Sequence, residues 1–173
     1  MAASPTLRRL APAEALAAAP ALAGILLDCV AGGASVSFMA GLTRAEAEAF
    51  WREQADAGDG RAILVAEDAA GPCGVVQVIP AWAPNQPHRA DVSKLLVHRR
   101  ARRCGVAAAL MTAAEDAARQ MARSVLLLDT VTGGDAERLY VRLGWTEVGV
   151  IPDFALMPDG ALCATTVFTK TLA

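Results

Sequence analysis

The sequence predicts a mixed α/β fold in which helices flank a central mixed β-sheet, with the elements in the order β-α-α-β-β-β-α-β-α-β-β. Three observations support this fold class. The stretch "RAILVAED" alternates and is followed, after the turn "AAGPCG", by "GVVQVIPAW", which is typical of a hairpin. The apolar run "SVLLLDTV" stands between two helical patterns, as expected for a buried strand. The chain is 54% hydrophobic and 20% charged, which argues against disorder.

The N-terminal part of the chain is predicted to hold one short strand and two helices. Residues 6–10 form the strand. Residues 12–31 form a helix that Pro20 splits or restarts, because a proline inside a helix costs about 3 kcal/mol. The Gly-Ser loop "AGGASVSFM" follows. Thr43 then begins a second helix with the capping box "TRAE", and this helix runs to about Ala57, where "GDG" ends it.

Strands and helices alternate after the hairpin. The stretch "ADVSKLLVH" is predicted to be a strand, and residues 105–121 a helix with its apolar residues on one face. The apolar run forms the next strand, and a helix from Ala136 to Leu143 follows, closed by Gly144. The stretches "WTEVGVI" and "ATTVFTKTL" are the last two strands. No linker or repeat interrupts the chain, so a single domain is predicted over residues 1–173.

Charge and cysteine usage narrow the classes of partner. The net charge of −2 argues against a general nucleic-acid binder. The four cysteines are far apart and form no CxxC pair, which predicts neither a metal site nor a disulfide framework. They are interpreted as free thiols in a reducing compartment. They lie at Cys29, Cys73, Cys104 and Cys163.

The N-terminal region shows no targeting signal. The opening "MAASPTLRRL" lacks the basic-then-apolar order of a signal peptide. The apolar stretch from Ala15 to Val30 is interrupted by Pro20 and Gly24 and is interpreted as too short to span a bilayer. A cytoplasmic protein without a membrane partner is therefore expected.

The stretch "RRARRCGVAAAL", residues 99–110, places four arginines within five positions before a helix. A glycine-hinged turn at a helix N-terminus presents unpaired backbone N–H groups and the positive end of the helix dipole, which suits a phosphate. Gly105 permits close approach, Ala107 and Ala108 leave the approach open, and Arg102 and Arg103 add charge at its mouth. The alternative is an ordinary solvated basic turn. The chain contains neither GxxxxGK[ST] nor a GxGxxG motif after a strand.

Two signatures carry a family resemblance. The first is Arg102-x-x-Gly105-x-Ala107 directly after a strand, which resembles the acetyl-CoA-binding motif Gln/Arg-x-x-Gly-x-Gly/Ala of the GCN5-related N-acetyltransferases (GNAT). The second, "AERLYVRLGW", resembles the helix end that follows in that family, with its matching positions at Ala136, Leu139, Tyr140, Gly144 and Trp145. From about Leu7 onward the chain resembles the tabtoxin-resistance acetyltransferases of the family, although Gly133 stands where many members have asparagine.

The resemblance implies a GNAT fold and transfer of an acetyl group from acetyl-CoA to an amine of a small molecule. It implies that the backbone groups of Leu95, Leu96 and Val97 pair with the pantetheine arm, with an N–H near Leu96 as the oxyanion donor. The pyrophosphate would lie on the turn. The turn residues expected at the cofactor are Arg102, Arg103, Cys104, Gly105, Val106, Ala107 and Ala108.

Three residues are candidates for the chemistry. The resemblance places acids at the ends of two neighbouring strands, Asp91 and Asp129, where they would hold the acceptor ammonium and relay its proton. Asp91 is favoured as the base and Asp129 as the substrate anchor. Tyr140, the only tyrosine, would protonate the leaving thiolate. The alternatives are solvated strand-end carboxylates and a core aromatic.

The acceptor side is predicted in the loop "GGASVSFM", residues 32–39, where Ser35, Ser37 and Phe38 would line the substrate pocket unless the loop only connects two helices. The resemblance suggests an amino-acid-like or β-lactam amine, and hence antibiotic or toxin resistance. A protein or peptide N-acetyltransferase and a non-catalytic acyl-CoA sensor are the alternatives. A monomer or homodimer is expected.

Overall fold

The structure, a computed structural model, describes residues 5–172 and contains seven strands and four α-helices within them. In chain order these elements are β1 (Thr6–Arg9), α1 (Pro12–Ala31), α2 (Arg44–Ala55), β2 (Ala62–Asp68), β3 (Gly71–Pro80), β4 (Arg89–Val97), α3 (Val106–Gln120), β5 (Val125–Val131), α4 (Asp135–Arg142), β6 (Thr146–Leu156) and β7 (Leu162–Thr171). The predicted element order is confirmed.

The strands form one mixed sheet in the order β1-β2-β3-β4-β5-β7-β6. Only β4 and β5 pair in parallel, and each other neighbouring pair among the described strands is antiparallel. The crossover between the two parallel strands is α3, as expected for a parallel connection. The C-terminal ends of β4 and β5 therefore lie at the same edge of the sheet, followed by the N-termini of α3 and α4.

Two apolar layers cover the two faces of the sheet. One face of the sheet packs with α3 and α4 through a core that includes Val92, Leu110, Leu126 and Tyr140. The other face packs with α1 and α2 through a core that includes Leu96. Burial along β5 alternates, with Leu126 and Leu128 buried and Asp129 exposed, so the apolar run is not buried on both faces as expected.

Helix α1 corrects two expectations. It is one continuous helix. Pro20 leaves the carbonyl of Leu16 without its helical hydrogen bond, but both residues lie on the solvent side, so the helix is not interrupted. With 20 residues, α1 is long and apolar enough to cross a membrane by length and composition alone, so the stretch is not too short. Its residues Leu22, Ile25 and Leu26 are nevertheless buried in the core, which accounts for its apolar character.

Local signals place the helix ends close to the predicted positions. Thr43 caps α2 through the expected capping box, with its hydroxyl accepting from the N–H of Glu46. Gly105 caps α3 in the left-handed region, with φ 78°. The main difference lies in β6, which continues to Leu156 and not only to Ile151, because it pairs along most of β7.

Candidate active site

Strands β4 and β5 separate after a short parallel stretch. They pair only at Arg89–Val125, Ala90–Leu126 and Asp91–Leu127. Beyond that point β4 continues to pair with β3, and β5 pairs with β7. The result is an opening between residues 93–97 of β4 and residues 128–131 of β5, which we call the β4–β5 gap. A strand edge in such a gap can pair with an extended ligand.

A β-bulge in β4 lies at the start of this gap. Between the pairs Gln77–Ser93 and Val75–Leu96 the register shifts, and Lys94 adopts φ 53°, which is uncommon for a residue other than glycine. The extra residue changes the face to which the following side chains point. Val92 therefore packs towards α3, whereas Leu96 packs towards α1. The expected uninterrupted strand is thus bent at the site.

The backbone of β4 presents alternate residues to the gap. The N–H of His98 donates to the carbonyl of Cys73 on β3 at 2.9 Å, and Leu96 pairs with Val75. By the two-residue period of a strand, the backbone groups of Leu96 point to β3, and those of Leu95 and Val97 point to the gap. Near Leu96, the N–H that is free to face the gap is therefore that of Leu95, since Leu96 is already paired and only 2% exposed.

The turn between β4 and α3, residues 98–105, is called the arginine turn. It begins with a short 3₁₀ helix, Arg99–Ala101, and ends at Gly105. Within the described chain, the backbone N–H groups of residues 103–108 have no hydrogen-bond acceptor. Ala107 and Ala108 are only partly buried. Six free donors at the N-terminus of a 15-residue helix are an arrangement that can bind an anion.

The arginines of this turn make different contacts. Arg99 binds Asp28, and Arg100 binds Asp68, so these two fasten the turn to the rest of the protein. Arg102, which was expected to add charge at the mouth of the turn, is exposed but is also bound by the protein. Its Nε donates to the carbonyl of Val97 at 3.1 Å, which holds the guanidinium back against β4. Arg103 is exposed and makes no ion pair in the part of the chain that the structure describes.

The remaining turn residues differ in accessibility. Cys104 is exposed, and its thiol donates to the carbonyl of Arg102 at 3.4 Å. The side chain of Val106 is buried in the α3 core, so only its backbone N–H faces the turn.

Asp129 and Tyr140 are brought together at the β5 side of the gap. Asp129 is exposed, and its Oδ2 accepts from the hydroxyl of Thr165 at 3.1 Å. Tyr140 on α4 is 5% exposed, and its ring packs against Trp145 and Phe168. Burial, and to a smaller extent the charge of Asp129, raise the pKa of the Tyr140 hydroxyl well above its ordinary value. The tyrosine therefore keeps its proton at neutral pH.

Asp91 is placed differently from Asp129. It belongs to the last parallel pair, at the closed end of the gap, whereas Asp129 lies two residues farther along β5. The Oδ1 of Asp91 accepts from Nη1 of Arg89 at 2.6 Å. The carboxylate of Asp91 is therefore already engaged in a charge-assisted hydrogen bond within its own strand. The sequence offered no signal for this pairing beyond the i, i+2 spacing on one strand face.

The loop between α1 and α2, residues 32–43, carries the three predicted substrate residues. Ser35 donates to the carbonyl of Leu156 at 2.8 Å, so its hydroxyl connects the loop to β6. Phe38 packs edge-on against Phe50 at 5.1 Å. Ser37 is exposed, has φ 76°, and accepts a hydrogen bond from Nζ of Lys94 at 3.0 Å. The loop therefore reaches the bulge in β4, a contact that sequence reasoning missed.

Gly133, where asparagine was noted in many relatives, lies in the loop from β5 to α4. Its N–H donates to the carboxylate of Glu137, which also accepts from the hydroxyl of Thr166 at 2.9 Å. The N-terminal turn of α4 is thus held by a carboxylate from within the helix. As for metals, residues 5–172 contain no group of three or more His, Cys, Asp or Glu side chains that could hold an ion.

Comparison with known proteins places this geometry in context. A family model described as an acetyltransferase (GNAT) domain matches residues 59–147, just over half of the chain. Many solved structures share the fold, among them the following three. A ribosomal-protein-alanine N-acetyltransferase from Brucella melitensis has a TM-score of 0.80 at 24% identity, covering 96% of this chain and 99% of its own. A GCN5-related N-acetyltransferase from Kribbella flavida has a TM-score of 0.79 at 24% identity, covering 98% of each chain. A GNAT superfamily phosphinothricin acetyltransferase from Sinorhizobium meliloti, in complex with acetyl-CoA, has a TM-score of 0.80 at 18% identity, covering 99% and 90%.

Proposed function

This chain belongs to the GNAT acetyltransferase family, and from that premise we propose that it transfers the acetyl group of acetyl-CoA to the amine of a small molecule. One observation carries the proposal. The β4–β5 gap lies along the C-terminal part of β4, and β4 leads directly into the turn that carries the free N–H groups of residues 103–108. An extended arm can pair with the edge of β4 while a pyrophosphate binds at the N-terminus of α3. The acetyl-CoA complex of the Sinorhizobium meliloti protein supports the choice of ligand.

The cofactor would occupy this surface from the turn inward. The N–H groups of residues 103–108 would bind the pyrophosphate, and Arg103 would add its free positive charge. The backbone groups of Leu95 and the N–H of Val97, which face the gap, would pair with the pantetheine arm, since the carbonyl of Val97 already accepts from Arg102. The thioester would then lie beside the bulge, where the N–H of Leu95 can donate to the oxyanion that forms on the acetyl carbonyl.

The reaction needs a neutral amine, an oxyanion donor and a proton for the leaving group. The amine nitrogen forms a bond to the acetyl carbon, and the carbon–sulfur bond then breaks. Asp129 accepts the amine proton and passes it to solvent, since its carboxylate is exposed. Tyr140, which stays protonated, donates its proton towards the thiolate and recovers one from solvent.

The two acids are assigned different roles from those that the sequence favoured. We assign proton acceptance to Asp129, because it lies within electrostatic reach of Tyr140. The ion pair with Arg89 argues against Asp91 as the base, since proton uptake would break a 2.6 Å contact. Asp91 then holds Arg89 at the closed end of the gap.

The acceptor we propose is small and amino-acid-like, or a β-lactam toxin or antibiotic. The resemblance to tabtoxin-resistance acetyltransferases supports this class, and the structural likeness to a phosphinothricin acetyltransferase agrees with it. The α1–α2 loop is joined to β6 and its turn by Ser35–Leu156 and Ala40–Pro158, each within 3 Å. This bridge limits the room for a long chain between the two elements and so favours a small molecule over an extended peptide.

We also propose a cytoplasmic location. All four cysteines are free thiols in the structure, and Cys104 is exposed. Exposed thiols persist in reducing compartments.

Cofactor placement is tested with Gly105→Val. Gly105 has φ 78° and open space where a Cβ would project, so a branched side chain would occupy the proposed phosphate position. Calorimetry should show acetyl-CoA affinity lowered by about tenfold or more. Gly60→Val is the matched control, because Gly60 has φ 76°, equally open space, and lies between α2 and β2. Unchanged affinity in Gly105→Val would reject the placement. Product formation with a panel of amines tests the transfer itself.

A further inference from the structure

The side chain of Lys94 occupies an unusual position at the bulge. Its Nζ lies 3.0 Å from the hydroxyl of Ser37 and 5.7 Å from the centre of the Phe50 ring. No carboxylate lies within ion-pair distance of this ammonium among the described residues. Asp129 is near enough to act on it electrostatically, but the two do not form an ion pair. A partly buried cation without an anionic partner is costly, and binding of an anion would offset that cost.

Backbone strain marks the same place. Lys94 at φ 53° and Ser37 at φ 76° are two of the five described non-glycine residues with positive φ, and their side chains contact each other across 57 positions of sequence. Left-handed conformations cost about 1–3 kcal/mol each in such residues and tend to collect at functional sites. Neither residue ends a helix or forms a hairpin turn here. The strain instead orients an ammonium and a hydroxyl towards the same space.

The charges around this space are arranged for a zwitterion. On the β4 side, the ammonium of Lys94 is paired only with a neutral hydroxyl. On the β5 side, the exposed carboxylate of Asp129 is hydrogen-bonded only to Thr165 in the described chain. These two opposite charges lie near each other but do not form an ion pair. Together they are complementary to a molecule that carries one charge of each sign. The ring of Phe50, packed against that of Phe38, forms an apolar wall beside Lys94.

We propose that Lys94 and Ser37 form an oxyanion-binding subsite, so that the acceptor is an amine that also carries a carboxylate or a similar acidic group. The anion docks on Nζ of Lys94 and on the hydroxyl of Ser37, which can donate when Lys94 turns to the ligand. The amine then points to Asp129 and the thioester. Lys94 is a specificity-determining residue in this arrangement. The inference rests on the proposed function for the identity of the second substrate.

The test compares standard α-amino acids, each with its own carboxamide, which keeps the amine and removes the negative charge. Calorimetry on the protein saturated with CoA should show that at least one acid binds about tenfold or more tightly than its amide. Lys94→Met should abolish this preference, and Lys94→Arg should keep most of it. Arg52→Met is the control for loss of a distant charge, because Arg52 is exposed on α2 and pairs with Glu48.

Two results would overturn the subsite: no acid–amide difference for any pair in the wild type, or a difference that persists in Lys94→Met. If Lys94→Met does not fold, as judged by thermal denaturation, Ser37→Ala replaces it and should reduce the preference severalfold. Product analysis with acetyl-CoA separates this inference from the proposed function. If the preference for acids depends on Lys94 but no acetylated product forms, the subsite is supported and the transfer is rejected. If acids and amides are acetylated equally, the transfer is supported and the subsite is rejected.

Discussion

Replacement of Tyr140 by phenylalanine distinguishes a catalytic hydroxyl from a packed core aromatic. The ring of Tyr140 lies 6.0 Å from that of Trp145 and 5.9 Å from that of Phe168, and the residue is 5% exposed. Tyr140→Phe keeps these contacts and removes one oxygen. We expect the free energy of unfolding to change by less than about 1.5 kcal/mol, the net value of one hydrogen bond. Tyr140→Leu removes the ring and should cost about 2–4 kcal/mol.

The rate of acetyl transfer should respond to the loss of the Tyr140 hydroxyl much more strongly than stability does. If the hydroxyl donates to the thiolate, Tyr140→Phe should lower the rate of acetyl transfer by about 10²-fold, or about 2.7 kcal/mol of transition-state stabilisation. The assay is single-turnover transfer from radiolabelled acetyl-CoA, in which product release does not limit the rate. The affinity for acetyl-CoA should remain that of the wild type. A wild-type rate in Tyr140→Phe would refute the reasoning and leave Tyr140 as a core aromatic.

The raised pKa of Tyr140 gives an independent measurement, because the chain has one tyrosine. The near-ultraviolet absorbance of tyrosinate reports this group alone. An unfolded tyrosine titrates near pH 10, whereas burial, and then Asp129, raise the folded pKa above that value. Between the two values the unfolded chain loses a proton that the folded protein keeps. Stability is therefore complete below about pH 10 and falls above it, by up to about 1.4 kcal/mol per pH unit. Tyr140→Phe should remove this loss. Tyrosinate that forms at the ordinary pH in the folded protein would contradict the burial argument.

Two further predictions concern the acids and a buried ion pair. Asp129→Asn should lower turnover by about 10²-fold at neutral pH, and turnover should recover in part as the pH approaches the pKa of the amine. Asp91→Asn, which removes the partner of Arg89, should change turnover by less than about threefold. A pH series of kcat for both variants checks this, and the reverse ranking would return the base role to Asp91. Lys170→Met should lower the free energy of unfolding by about 3 kcal/mol, because Nζ of Lys170 contacts the carboxylate of Glu115 and the carbonyl of Leu143 at 2.7 Å each. Denaturant unfolding measures it, and the double variant with Glu115→Leu should recover much of the loss; equal stability of the single variant and the wild type would show that the pair contributes little.

Features set by neighbouring residues could be predicted from the sequence. The capping box at Thr43, the glycine entry to α3 at Gly105 and the strand–turn–helix order around the arginine turn depend on backbone preferences and contacts within a few positions. The apolar periodicities predicted the elements for the same reason. The family resemblance rested on these local stretches, and the match of the GNAT model over residues 59–147 bears it out.

Features that depend on distant residues were decided only by the tertiary structure. The bulge at Lys94 follows from the register between β3 and β4, and no local pattern marks it. Arg102 was expected to add charge at the mouth of the turn; it is exposed, but its guanidinium is also bound by the carbonyl of Val97, which lies within reach once the turn folds back. Ser37 and Lys94 meet because the α1–α2 loop crosses to the opening between two strands that are far away in sequence. Composition and spacing thus determined which elements form, and they predicted the turn at which a phosphate would bind. Which side chains face the acceptor depended on strand register and loop closure, because a shift of one residue moves a side chain to the other face of the sheet.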